Sequence, residues 1–139
     1  MGYTHYYRVK NVPNEAYASI RKDFETLIPQ FTAQNIPLAG WDSEGEMTVN
    51  DEEIRFNGVE NDGHETMALG VDTEGFNFCK TARKPYDLAV TSLLIVASQH
   101  LGELISVSSD GYLSEWKEAM ELCQSTLGYG QDFAFREES

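Results

Sequence analysis

The chain has 139 residues, 23 acidic against 10 basic for a formal net charge of −13, with 41% hydrophobic and 12% aromatic residues. Such a length buries roughly two thirds of the surface an unfolded chain exposes, so one domain is expected and neither a disulfide nor a metal is needed to hold it. The apolar content excludes a disordered chain, and the acidic surplus excludes nucleic-acid or anionic-membrane binding through a broad surface, leaving any anion to a local basic pocket.

Residues 3–10 alternate aromatic and polar side chains as a strand does, with Tyr3, His5, Tyr7 and Val9 on one face and Thr4, Tyr6, Arg8 and Lys10 on the other. No apolar leader is seen and no run reaches the length of a membrane span, so the cytoplasm is the expected compartment. After Pro13, Asn14 is a good N-cap, and Tyr17, Ile20, Phe24, Leu27 and Ile28 recur at helical spacing. This predicts an amphipathic helix ending near Ile28. From Pro29 to Gly45 the period fails and an irregular segment is expected. Residues 47–49 and 53–56 predict a hairpin around Asn50-Asp51. Beyond a loop marked by Asn57-Gly58 and Asp62-Gly63, residues 64–71 and 76–81 predict a second strand pair around Thr73-Glu74-Gly75, completing a meander.

A helix starting near Pro85 and capped by Gly102 carries Tyr86, Val90, Leu93, Leu94, Ala97 and Leu101 on one stripe, while Leu88, Ile95 and Val96 leave it little polar face. It is expected to be buried. Residues 104–108 predict a strand, Asp110-Gly111 a turn, and Trp116, Ala119, Met120, Cys123 and Leu127 a last helix that stops at Gly128. The expected domain is 1–128, with 129–139 a tail in which Phe133 and Phe135 can dock or add an edge strand. Runs of adjacent strands in place of strict βαβ alternation favour an α+β fold, with a mainly antiparallel sheet of about five or six strands and three helices, two or more packed on one face. Cys79 and Cys123 lack C-x-x-C spacing and are expected to be reduced core residues.

Three of the ten basic residues, Lys80, Arg83 and Lys84, gather where the strand at 76–81 meets the buried helix. A helix start exposes unpaired N–H groups and the positive end of the macrodipole, so cations there break a local rule that Asp87 only partly offsets. A bound anion would restore the balance. Pairing with the surplus carboxylates is the plainer alternative. Around this junction the ligand-binding candidates are Arg55, a planar fork for phosphate or carboxylate, Asn57, His64, Thr81, the aromatic face of Tyr86, and His5, together with the three cations. They suit a small anion with a planar group, such as a nucleotide.

His64 in Asn-Asp-Gly-His-Glu-Thr, with Glu65 to orient it, is the candidate general acid or base if the ligand is turned over. His5, His64, Asp62 and Glu65 lack metal-ligand spacing, so neither metal nor cofactor is expected. Ser106, Ser108 and Ser109 in ISVSSDG lack the elbow of a serine nucleophile.

GYTHY at 2–6, EIRFNGVENDGHET at 53–66, FCKTARKPYD at 78–87 and ISVSSDG at 105–111 resemble a group of small, largely uncharacterised phage and bacterial proteins that open with the same GYTHY. The resemblance covers most of the chain and transfers no catalytic residue. It implies a phage-type accessory protein inside a bacterial host cell. The expected function is therefore binding of a small anionic, nucleotide-like ligand, with sequestration of a host signalling nucleotide as one counter-defence use. The alternatives are an enzyme acting on such a ligand through His64 and an acidic inhibitor that imitates nucleic acid. No direct contact with nucleic acid or membrane is expected, and Trp41, Phe133 and Phe135 are candidates for an interface between copies.

Overall fold

The computed structural model describes residues 3–135. In chain order they form β1 (Thr4–Val9), α1 (Asn14–Ala33), β2 (Leu38–Ala39), β3 (Thr48–Val49), β4 (Glu53–Gly58), β5 (Met67–Gly70), β6 (Gly75–Lys80), α2 (Asp87–Leu101), β7 (Ile105–Ser109) and α3 (Lys117–Leu127). Every strand pairing is antiparallel, and the seven strands divide into two sheets, an α+β fold with one or two strands more than the sequence led us to expect.

The first sheet has the order β6-β1-β7. Alternation decides what it buries: His5, Tyr7 and Val9 of β1, Cys79 of β6, and Ile105 and Val107 of β7 face inward. In the second sheet β4 pairs with β2, β3 and β5, and Ile54, Phe56, Met67 and Leu69 enter the core. The hairpin of β3 and β4 is tied by Asn50, whose side-chain oxygen accepts the N–H groups of Glu52 and Glu53 at 2.8 and 3.0 Å.

β5 and β6 are joined by the expected turn but do not form the expected pair. β5 pairs with β4, while β6 crosses to β1 over six residues, from Thr4↔Lys80 to Val9↔Gly75. The long-range pairing wins because it puts Cys79 beside His5 on the buried face. The sheets are stitched at their seam by the Glu65 N–H, which donates to the Lys80 carbonyl at 3.1 Å, and by the Tyr7 hydroxyl, which donates to the Ala68 carbonyl at 2.6 Å.

α2 is apolar all round and packs against α1, α3 and β7, with residues 88–97 all buried. It starts two residues later than Pro85. Tyr86 is the cap and its carbonyl takes the Ala89 and Val90 N–H groups. α1 runs past its expected end at Ile28 and encloses Pro29, because Phe31, 1% exposed, is seated in the core 6.0 Å from Phe24. Its cap is Pro13, not Asn14, and carries no side-chain bond. The segment expected to be irregular therefore contributes the end of α1 and the edge strand β2, followed by a tight turn at Trp41–Ser43 in which Asp42 and Ser43 take positive φ of 55° and 66°. After Gly128, whose φ of 86° closes α3, the chain docks as far as it is described: Phe133 stacks on Trp116 at 5.1 Å and Phe135 meets the same ring edge-on at 5.2 Å. The rest of the expected tail, 136–139, lies outside the described residues.

Candidate functional site

Between β6 and α2 the chain reverses through Thr81–Lys84, closed by the Lys84 N–H to the Thr81 carbonyl at 3.0 Å. Ala82 and Arg83 occupy its centre with φ of 53° and 60°. Two successive left-handed residues are the pattern of a primed turn, which favours glycine, asparagine or aspartate, so an alanine and an arginine hold it against a local steric cost. Tertiary bonds impose it. The N–H groups of Thr81 and Ala82 both donate to the Tyr3 carbonyl, at 3.1 and 3.2 Å.

Asp87, the first residue of α2, supplies the negative charge that the helix start favours. Its Oδ1 lies 2.6 Å from His5 Nε2 and 2.5 Å from the Thr81 hydroxyl. Arg83 is paired as well. Its guanidinium bonds the Glu115 carboxylate and lies 4.0 Å over the Tyr3 ring. The hydrogen bond from Arg83, and then that from the Tyr112 N–H, hold the Glu115 carboxyl below the usual carboxylate range. Burial, then the charges of Asp87 and Glu115, push the Tyr3 phenol up to about 12. Arg83 and Lys84 line a cavity of about 290 Å³ that also presents Asp87, Glu115 and Glu118. Two cations against three carboxylates do not make an anion pocket, so the broken rule at this junction is resolved inside the protein.

The other sequence candidates are dispersed or closed. Asn57 is fully buried and its amide is spent on its own loop, donating to the His64 carbonyl and Thr66 hydroxyl and accepting from the N–H groups of Gly58 and His64. Tyr86 is also fully buried, its hydroxyl donating to the Glu65 carbonyl at 2.5 Å; it offers no aromatic face to a ligand. Thr81 and His5 are 0% exposed. Arg55 pairs with Glu53 at 3.0 Å and lies 5.6 Å from the Trp41 ring, in an acidic groove with Glu52, Asp72 and Glu74. The side chain of His64 is exposed, but Glu65 does not orient it: one Glu65 carboxylate oxygen accepts the Lys80 N–H at 2.7 Å.

His5 also lies 2.8 Å from the Ser109 hydroxyl through Nδ1, so Ser109, His5 and Asp87 form one chain of hydrogen bonds. The residue types are those of a nucleophilic triad. The setting is not, because His5 is sealed between the rings of Tyr3 and Trp116, each 4.9 Å away, and the Ser109 oxygen already accepts the Gly111 N–H at 2.9 Å. The network is a strut that ties β1, β7 and α2 together.

The remaining candidate, Lys80, leads to a different surface. The alternation that buries His5 and Cys79 sends Thr4, Tyr6 and Arg8 of β1, Phe76, Phe78 and Lys80 of β6, and Ser106 and Ser108 of β7 to the outer face of the first sheet. In register, Tyr6 lies between Phe78 and Ser108, and Arg8 between Phe76 and Ser106. Phe76 and Phe78 are 54% and 52% exposed. Tyr6 stacks on Phe76 at 6.0 Å with 22° between the planes, Phe78 follows at 6.0 Å, and the Arg8 guanidinium lies 5.4 Å from the Phe76 centroid. The Tyr6 ring is fixed by its hydroxyl, which donates to Asp110 at 2.9 Å, and the other Asp110 oxygen accepts the Thr4 N–H at 3.1 Å. Lys80 makes no ion pair among the described residues.

Tyr6, Arg8, Phe76 and Phe78 are absent from the sequence-derived site, although a signal for them exists. Strand residues 3–9 carry aromatics at both parities, Tyr3 and Tyr7 against Tyr6, so if one parity fills the core the other stands on the opposite face. Among the described residues no group of histidine, cysteine and carboxylate side chains could hold a metal ion. No helix among them is long and apolar enough to cross a membrane. Comparison with known proteins yields no match to a family model, a curated protein or a solved structure.

Proposed function

We propose that the protein binds a nucleotide-like anion, and that the outer face of the first sheet, not the junction before α2, receives it. The observation that carries this reading is the row of Tyr6, Phe76 and Phe78 in contact at 6.0 Å, with Arg8 and Lys80 on the same face. Exposed aromatic rings are costly to leave in water and suit a planar partner; stacking a base on one contributes about 1 to 3 kcal/mol. Lys80, which makes no ion pair among the described residues, meets the phosphate. Among the described residues nothing on this face is placed to cleave a bond, which favours holding the ligand over turning it over. In the phage setting implied by the sequence resemblance, such holding would withdraw a signalling nucleotide from a host.

Calorimetric titration with a nucleoside monophosphate, the matching nucleoside and ribose 5-phosphate tests the proposal. The nucleotide should bind more tightly than either half, Phe78→Ala should lose the base contribution, Lys80→Gln the phosphate contribution, and Arg83→Gln should bind as wild type. Binding that survives Phe78→Ala and vanishes in Arg83→Gln would return the site to the junction.

A further inference from the structure

We infer, against the expectation of no direct nucleic-acid contact drawn from the net charge, that the ligand of this face is a short single strand of nucleic acid, laid across β6 and β1 with its bases on the rings. The inference rests on the proposed nucleotide site and specifies its occupant. Shape is the first argument. Small ligands are held most tightly in concave sites that cover most of their surface, whereas this face is the outer side of a three-stranded sheet with Phe76 and Phe78 half exposed, and such a face gains further affinity when several units of one molecule touch it at once. The second argument is spacing. Phe76 and Phe78 are 6.0 Å apart with 37° between their planes, wider than the about 3.4 Å of bases stacked along one strand of a duplex. Side-by-side rings of this kind accept successive unstacked bases, as the aromatic sheets of RNA-binding modules do.

Charge selects the strand form. Lys80 makes no ion pair among the described residues, the hydroxyls of Ser106 and Ser108 line the third strand of the face, Asp110 beside it already accepts from Tyr6 and Thr4, and Glu65 accepts the Lys80 N–H. With a net charge of −13 the rest of the molecule repels a polyanion, so no broad surface is open to a duplex, whose bases are in any case stacked on one another. A strand that offers bases to the rings and a phosphate to Lys80 is suited to this face.

Fluorescence anisotropy tests this with a labelled ten-nucleotide strand, a hairpin holding the same sequence fully paired, and the mononucleotide. The strand should bind more tightly than the hairpin and the mononucleotide. Phe78→Ala should weaken it about 5- to 160-fold and Phe76→Ala comparably. Lys80→Gln should reduce the salt slope by about 0.7, and Trp41→Ala, which removes an exposed ring elsewhere, should change nothing. Half-exposed rings can be truncated without emptying the core, and circular dichroism of each variant checks the fold. Equal binding of strand and hairpin, or strand binding unaffected by Phe78→Ala, overturns the inference. So does a wild-type dimer that Phe78→Ala makes monomeric without any strand binding, since the face would then belong to a second copy. If the mononucleotide binds through Phe78 and Lys80 and the strand binds no better, the inference falls and the small-ligand proposal stands. If neither binds, both fall.

Discussion

Replacing Asp87 with alanine isolates the strut behind the candidate face. Its Oδ1 is the acceptor for His5 Nε2 at 2.6 Å and the Thr81 hydroxyl at 2.5 Å, and both partners are 0% exposed. Orphaning each buried donor costs about 1 to 3 kcal/mol. Losing a carboxylate at the first position of α2 adds about 0.3 to 1 kcal/mol. The Asp87 side chain is 20% exposed, so water can reach the gap, and the expected loss is in the lower part of the summed range, about 2 to 4 kcal/mol. Asp87→Asn keeps an acceptor oxygen and should cost about half as much. Urea unfolding followed by circular dichroism measures both, with Glu121→Ala on the exposed side of α3 as a control expected within about 0.5 kcal/mol of wild type. An Asp87→Ala protein as stable as that control would refute the reasoning, because the His5 and Thr81 bonds would then carry no net stability.

Leu93→Ala and Leu94→Ala, both at fully buried positions of α2, should each cost about 2 to 5 kcal/mol in the same assay. Cys79 and Cys123 are free and buried, and burial pushes both thiols up to about 12; a thiol reagent should therefore leave them unmodified in the native protein and react with both in urea, while a reductant leaves the melting temperature unchanged. Arg83 holds the Glu115 carboxyl below its ordinary value of 4.5, so their pair contributes stability that is present above pH 4.5 and lost as pH falls through the lower folded value. Arg83→Gln should flatten that part of the acid limb of a melting-temperature profile; an unaltered limb would show that the pair contributes nothing.

Local chemistry made most elements legible. The period of α2, the alternation of β1 and the turn residues around β3 and β4 each lie within a few residues of what they determine. The site was harder, because the partners that decide a side chain's role come from elsewhere in the chain. Lys80, Arg83 and Lys84 look like an unbalanced cluster until Glu115 arrives beside Arg83 from 32 positions later. In the sequence Asp87 offsets only part of that charge, and in the fold His5 joins it from 82 positions earlier. Asn57 is engaged in the opposite way: its amide bonds lie within the following loop, where a polar side chain serves its own backbone as readily as a ligand. The outer aromatic face needed one further fact, that β6 pairs with β1, since neither strand alone shows that Tyr6 and Phe76 meet.

That pairing also fixes when the face can exist. β1 opens the described chain, yet its two neighbours are β6 and β7, and the whole second sheet is inserted before the first of them. During synthesis β4 can find β3 and β5 within a short stretch, whereas β1 must wait for residues 75–80 on one side and 105–109 on the other. Until the first has left the ribosome, Tyr6 and Tyr7 belong to a strand with neither edge paired, and until the second has, one edge stays open to chance association with other chains. A ribosome that stalls between β5 and β7 would therefore display a closed second sheet and an unfinished first one, and a protease added to such stalled chains should cut first at the amino-terminal strand.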